Sequence, residues 1–94
     1  MAKKTSNHIV KRAGHTEPYD ERKLYAAIYS ACLAVRETQA TSEMIADKVC
    51  SELNDWLNKK HEVTSHDIRV HAAQHLQSYN EDAAWIFKHH RNIS

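Results

Sequence analysis

The chain has 94 residues and a mass of 10.9 kDa, which is enough for one modest core and too little for two. A hydrophobic fraction of 41% and a charged fraction of 27% fit a folding, water-soluble module and exclude a disordered or membrane-embedded chain. A formal net charge of +1 removes the general case for living on a phosphate backbone, so any anion recognition must be local.

Residues 1–7, MAKKTSN, are polar and aperiodic and read as a frayed tail; residues 8–94 are expected to form a single domain. Two lysines with no apolar stretch after them do not make a secretory signal, and the expected compartment is the cytoplasm. His8 to Arg12 carries the β-branched pair Ile9 and Val10 before an Ala-Gly-His turn, so strand, turn, strand is expected. The return strand, about 16–19, is short because Pro18 cannot donate to a ladder.

Asp20 is a natural N-cap for a helix carrying Leu24, Ala27, Ile28, Ala31 and Val35 inward and running to about Arg36. Thr41 or Ser42 is expected to open a second helix with the stripe Ile45, Val49, Leu53, Trp56 and Leu57. Val63 can add a short third strand. Thr64 to Asp67 then reads as a capping box opening a third helix with Ile68, Ala72, Leu76 and Tyr79 inward. Asn80 caps a fourth, with Ala83, Ala84, Phe87 and Arg91 along one side. The expected fold class is α+β, an N-terminal β-hairpin, with or without a short third strand, covering a four-helix bundle.

Lys11 and Arg12 stand just before the turn, and Lys23 adds a third cation in the first turn of the first helix. Neighbours on a strand leave opposite faces, which argues against a simple clamp, although long side chains beside a turn can converge. Taken alone, these residues allow a phosphate site or a solvated charged hairpin equally. Asp67, His71 and His75 recur every four residues on one helix face; they read as solvated side chains, with a transition-metal site the geometric alternative, and no metal is expected. Cys32 and Cys50 do not form a CxxC pair and read as buried thiols. The chain has no GxxxxGK[ST], no glycine-flanked serine elbow and no HExxH, so no catalysis is expected.

The stretch VKRAGHTEPYDERKL, residues 10–24, resembles the opening signature of the ATP-cone family, V-K-R-x-G-x-x-E-x-[FY]-[DN]-x-x-K-[IL]. Residues 63–68, VTSHDI, resemble the family's V-T-S-x-x-I, and residues 83–91, AAWIFKHHR, resemble its closing helix more loosely. The family is known as an allosteric nucleotide-sensing domain of ribonucleotide reductases and of a bacterial repressor of reductase genes. The resemblance implies a stand-alone cone binding ATP or dATP with Mg2+. It makes Lys11 and Arg12 triphosphate contacts, Lys23 a phosphate or ribose contact, and Glu17 the partner of the adenine amino group. Ile9 and Leu24 become apolar walls for the base, and Asp20 lies near base or sugar. Ser65, Arg69 and Arg91 occupy places where the family carries hydroxyl or basic groups toward the phosphates. Ala13 replaces a common Asp, and His89 and His90 replace an aromatic and basic pair. The implied partners are an adenine nucleotide, a second copy of the chain and a ribonucleotide reductase subunit, with no membrane. The alternative is a small nucleic-acid-binding or protein-interaction domain using the basic hairpin, recognisable by salt-dependent binding without adenine preference.

Overall fold

The computed structural model describes residues 9–12, 15–60 and 63–89, with side chains from residue 19 onward. In chain order the elements are β1 (Ile9–Arg12), β2 (His15–Pro18), α1 (Glu21–Ala34), α2 (Gln39–Leu57), β3 (Val63–Thr64), α3 (Ser65–Tyr79) and α4 (Glu81–His89).

Each helix starts where a short polar side chain can accept from the first free N–H groups. Asp20 Oδ1 accepts from the amides of Arg22 at 3.1 Å and Lys23 at 3.3 Å. Thr64 Oγ1 accepts from the amide of Asp67 at 2.9 Å, while the Asp67 carboxylate accepts from the amide of Thr64 at 3.1 Å, closing the expected capping box. Asn80 Oδ1 accepts from the amide of Ala83 at 2.9 Å. The start of α2 differs from expectation: Thr38, not Thr41 or Ser42, is the cap, its Oγ1 accepting from the Thr41 amide at 3.1 Å.

α1 also ends earlier than expected, at Ala34. The amide of Arg36 donates to the carbonyl of Leu33 at 3.0 Å and that of Glu37 to Cys32 at 3.1 Å, a Schellman closure that requires a left-handed residue at Arg36, φ 73°. Glycine suits that conformation without the Cβ penalty. Arg36→Gly is therefore expected to stabilise the fold by about 0.5–1 kcal/mol, read as a higher urea midpoint at unchanged m-value.

The core comes almost wholly from helix stripes. Ile28 of α1, Val49, Leu53 and Leu57 of α2, Leu76 of α3 and Phe87 of α4 are fully buried. Each such large side chain contributes roughly 1.5–3 kcal/mol by leaving water. α1 packs on α2 and α4, and α3 packs on the same two. Among the described residues, no helix is long and apolar enough to cross a membrane.

The fold class expected from the sequence is corrected here. Over 19–60 and 63–89, where side chains are described, the body is four helices and the two-residue β3 is the one strand. β1 pairs antiparallel with β2 and parallel with β3, giving the order β2-β1-β3. This ribbon does not cover the helices: β1 meets them chiefly along α3, the helix into which β3 leads. Four-residue strands offer too little surface to span four helices, and the helical stripes already bury one another.

Candidate functional site

The strand register decides which candidate residues are neighbours. Lys11 lies opposite Thr16 on β2 and Thr64 on β3; Val10 lies opposite Glu17 and Val63; Ile9 lies opposite Pro18. β3 runs straight into α3, so the Lys11–Arg12 end of β1 adjoins the first turn of that helix, which opens with Ser65. β2 leaves the ribbon at the other end of β1, opposite Ile9, and passes through Tyr19 and Asp20 into α1. The candidates therefore fall into two groups along one strand. Ile9, Glu17 and Asp20 belong to one end, and Lys11, Arg12 and Ser65 to the other. At about 3.3 Å per residue the four residues of β1 span roughly 10 Å.

The described side chains add detail to this order. The Asp20 carboxylate is exposed and committed to capping α1; Lys23 is exposed in the first turn of that helix. Leu24 is 8% exposed and belongs to the core. Tyr19 is buried beside Asp20 with its hydroxyl lacking a hydrogen-bond partner, and burial pushes that phenol above its ordinary range. A phenylalanine would serve equally there. Ser65 is half-buried at the first position of α3. Arg69, one turn further on, is engaged elsewhere: Nη2 donates to the carbonyl of Phe87 at 3.0 Å, and the guanidinium lies 5.1 Å from the Phe87 ring centroid. It clamps α3 to the last turn of α4. Arg69→Ala is expected to cost about 1.5–3 kcal/mol in urea unfolding, the value of a hydrogen bond from a charged donor. Nothing in the sequence pairs residue 69 with residue 87. The side chains of Ile9, Lys11, Arg12 and Glu17, and the whole of Arg91, lie outside the described residues.

The other constellations have structural occupations. Asp67 is held in the capping box, and hydrogen bonding to Thr64, first its backbone amide and then its side chain, keeps the Asp67 carboxyl below the usual carboxylate range. His71 stacks on Trp56, and His75 Nδ1 meets Glu52 Oε1 at 2.9 Å. Neither histidine is simply solvated, and no three-residue metal-ligating group occurs among the described residues. Burial pushes the Cys32 thiol to about 11 and the Cys50 thiol to about 12, so both remain protonated at neutral pH and neither is a nucleophile.

Residues 7–88, which take in the strand ribbon and the four helices up to Lys88, match the model of the ATP cone domain. The chain belongs to the ATP-cone family. Over 90 residues this cone is 30% identical to the transcriptional repressor NrdR of Synechococcus sp. (strain CC9311), covering 92% of this chain and 56% of the repressor. Over 48 residues it is 42% identical to the vitamin B12-dependent ribonucleoside-diphosphate reductase of Thermoplasma acidophilum (strain ATCC 25905 / DSM 1728 / JCM 9062 / NBRC 15155 / AMRC-C165), covering 50% of this chain and 6% of the reductase. The cone thus spans about half the length of the repressor and a small part of the reductase.

Proposed function

We propose that this cone is a regulatory module that binds ATP or dATP and, through nucleotide-dependent association, acts on a ribonucleotide reductase or on its expression in the cytoplasm. The observation that carries this reading is the polarity of β1. Residues suited to a base, Ile9, Glu17 and Asp20, lie in the half of the ribbon that leads to α1; residues suited to phosphates, Lys11, Arg12 and Ser65, lie in the half that adjoins α3. The order is that of a nucleotide laid along the strand.

The donor set at the α3 end fits a phosphate. The first turn of a helix carries N–H groups outside the helical ladder and the positive end of the dipole. The Ser65 hydroxyl sits on that turn; the backbone of Lys11 pairs with Thr64 just before it, so Lys11 and its neighbour Arg12 are the candidate cations for that end. Lys23 starts from the opposite end of β1, which favours a ribose contact over a phosphate contact. Leu24 closes the base end from the core side, and Arg91 is a further candidate phosphate contact, whereas Arg69 is held at Phe87. Mg2+ enters with the triphosphate, whose oxygens hold it. Three or four charge-assisted hydrogen bonds and an enclosed adenine support micromolar affinity, about 8 kcal/mol.

For binding to regulate, ATP and dATP must differ in affinity or in the shape they hold, and that difference must reach a surface that meets a second copy or a reductase subunit. Calorimetric titration with Mg-ATP, Mg-dATP and Mg-GTP tests the reading. Saturable binding of the adenine nucleotides alone is expected. Binding instead to a DNA or RNA duplex, steeply weakened by salt and indifferent to adenine, would replace it with a backbone-binding module.

A further inference from the structure

The middle of the α2–α3 contact holds a histidine with an unmet need. The His71 ring stacks on Trp56 of α2, centroids 3.8 Å apart and planes 23° apart. Its Nδ1 is buried and has no hydrogen-bond partner. One turn further along α3, the His75 ring lies 6.1 Å from that of His71, and its Nδ1 meets Glu52 Oε1 at 2.9 Å. The second Glu52 oxygen accepts from the Tyr79 hydroxyl at 2.7 Å. Past the end of α2, the Lys60 ammonium lies 5.7 Å from the Trp56 ring centroid.

A buried ring nitrogen without a partner selects a tautomer. A bare lone pair loses less than an N–H denied its acceptor, so neutral His71 carries its proton on Nε2. A second proton can then enter only at Nδ1, where no acceptor lies. The imidazolium would carry a buried N–H donor at Nδ1 with no acceptor.

We propose that the Trp56–His71 stack is a proton-sensitive seam: protonation of His71 expels its ring from Trp56 and loosens α3 from α2 along this stretch.

The charged neighbours agree with that direction. On α3 itself, Asp67 favours a cation but is engaged by Thr64, and His75 opposes one; Lys60, from the end of α2, also opposes it. Glu52, the α2 carboxylate facing this side of α3, is engaged by His75 and Tyr79. Burial first, then His75 and Lys60, hold the His71 pKa below the ordinary histidine value, with Asp67 acting the other way. A histidine with a depressed folded pKa takes its proton first in the unfolded chain. Its contribution is complete above the unfolded value, near 6.5, and is lost as pH falls from there through the folded value.

The test is nitrogen-15 NMR of the imidazoles across that window, joined to urea unfolding at about pH 7.5 and about pH 5, which bracket the ordinary histidine value. The comparison is the His71→Phe variant, which keeps a ring on Trp56 but cannot titrate. His71 is expected as the Nε2–H tautomer, titrating below 6.5. Each unit of depression adds up to a tenfold rise in the wild-type unfolding constant on acidification that the variant lacks. Trp56 fluorescence, followed in a Trp85→Phe background, should change over the same range as the His71 resonances. An Nδ1–H tautomer, or a titration at or above 6.5, overturns the proposal; so does equal acid sensitivity in wild type and variant. Should His71→Phe fail to fold, the wild-type NMR titration decides alone.

Discussion

Phe87→Ala should lower the unfolding free energy by about 3–5 kcal/mol and the Tm by about 12 °C or more. α4 has nine residues, too few to persist as an isolated helix in water, so it exists because its inner face is packed. That face buries two alanines, Ala83 and Ala84, and Phe87, which is 1% exposed and is its one large fully buried side chain, with Ile86 partly buried beside them. Arg69 adds to the same point, lying over the Phe87 ring and donating to the Phe87 carbonyl. Truncation therefore opens a cavity and removes the surface against which the guanidinium is held. The two sites are in contact, so Arg69→Ala and Phe87→Ala should not add. Trp85→Ala on the same helix provides the contrast, because Trp85 is 58% exposed and its ring stacks on that of His89 with centroids 4.2 Å apart. Its cost should stay below about 1 kcal/mol, as for other exposed sites. A loss below about 1 kcal/mol for Phe87→Ala would mean that α4 is not part of the cooperative core.

The features legible in the sequence were those carried by local chemistry. Asp20, the Thr64–Asp67 box and Asn80 mark helix starts because a capping side chain reaches only two or three residues forward. The periodic positions Ile45, Val49, Leu53 and Leu57 are buried for the same reason that they were recognisable: 3.6-residue spacing makes a face. The start of α2 was ambiguous because Thr38, Thr41 and Ser42 are all competent caps. Packing resolves the choice, since Ser42 is fully buried and lies inside the helix that Thr38 caps. Trp56, expected in the core stripe, is only half-buried, because its ring is taken up by His71 from another helix.

Non-local relations were not legible. The parallel pairing of Lys11 with Thr64 joins residues more than fifty positions apart, and no turn signal announces it. Without that register, a hairpin spread over the bundle was the natural expectation; with it, the ribbon belongs to the edge of α3. The candidate site was legible as a motif and not as an arrangement. Residues 10–24 pointed to the family, whereas the separation of Ile9, Glu17 and Asp20 from Lys11, Arg12 and Ser65 appears only in the strand register. Arg69 was assigned toward the phosphates from its place in a pattern, and its bond to Phe87 could be seen only in the folded chain.

Adenine nucleotides should raise the thermal midpoint, and Arg12 should be necessary for it. A ligand bound only by the folded state stabilises it by RT ln(1 + [L]/Kd), about 2.7 kcal/mol at a hundredfold excess over Kd. For a domain of this size that shifts the Tm by about 10 °C or more. Arg12 stands one residue past Lys11 on the strand that adjoins the first turn of α3, where the phosphates are proposed to lie. Arg12→Ala removes a charged donor from that end and leaves the helical core untouched, so the variant should fold as before and bind more weakly. A charge-assisted contact worth about 1.5–3 kcal/mol weakens binding by roughly tenfold to a hundredfold or more, enough to remove most of the shift at the same nucleotide concentration.

The measurement to make first is the thermal midpoint of wild type and Arg12→Ala, each with magnesium alone and with magnesium plus ATP, dATP or GTP. A rise of about 10 °C with ATP and dATP, absent with GTP and largely lost in Arg12→Ala, is the predicted result. An unchanged midpoint with every nucleotide, or an equal rise in wild type and variant, would contradict an adenine nucleotide laid along β1 with its phosphates at the α3 end.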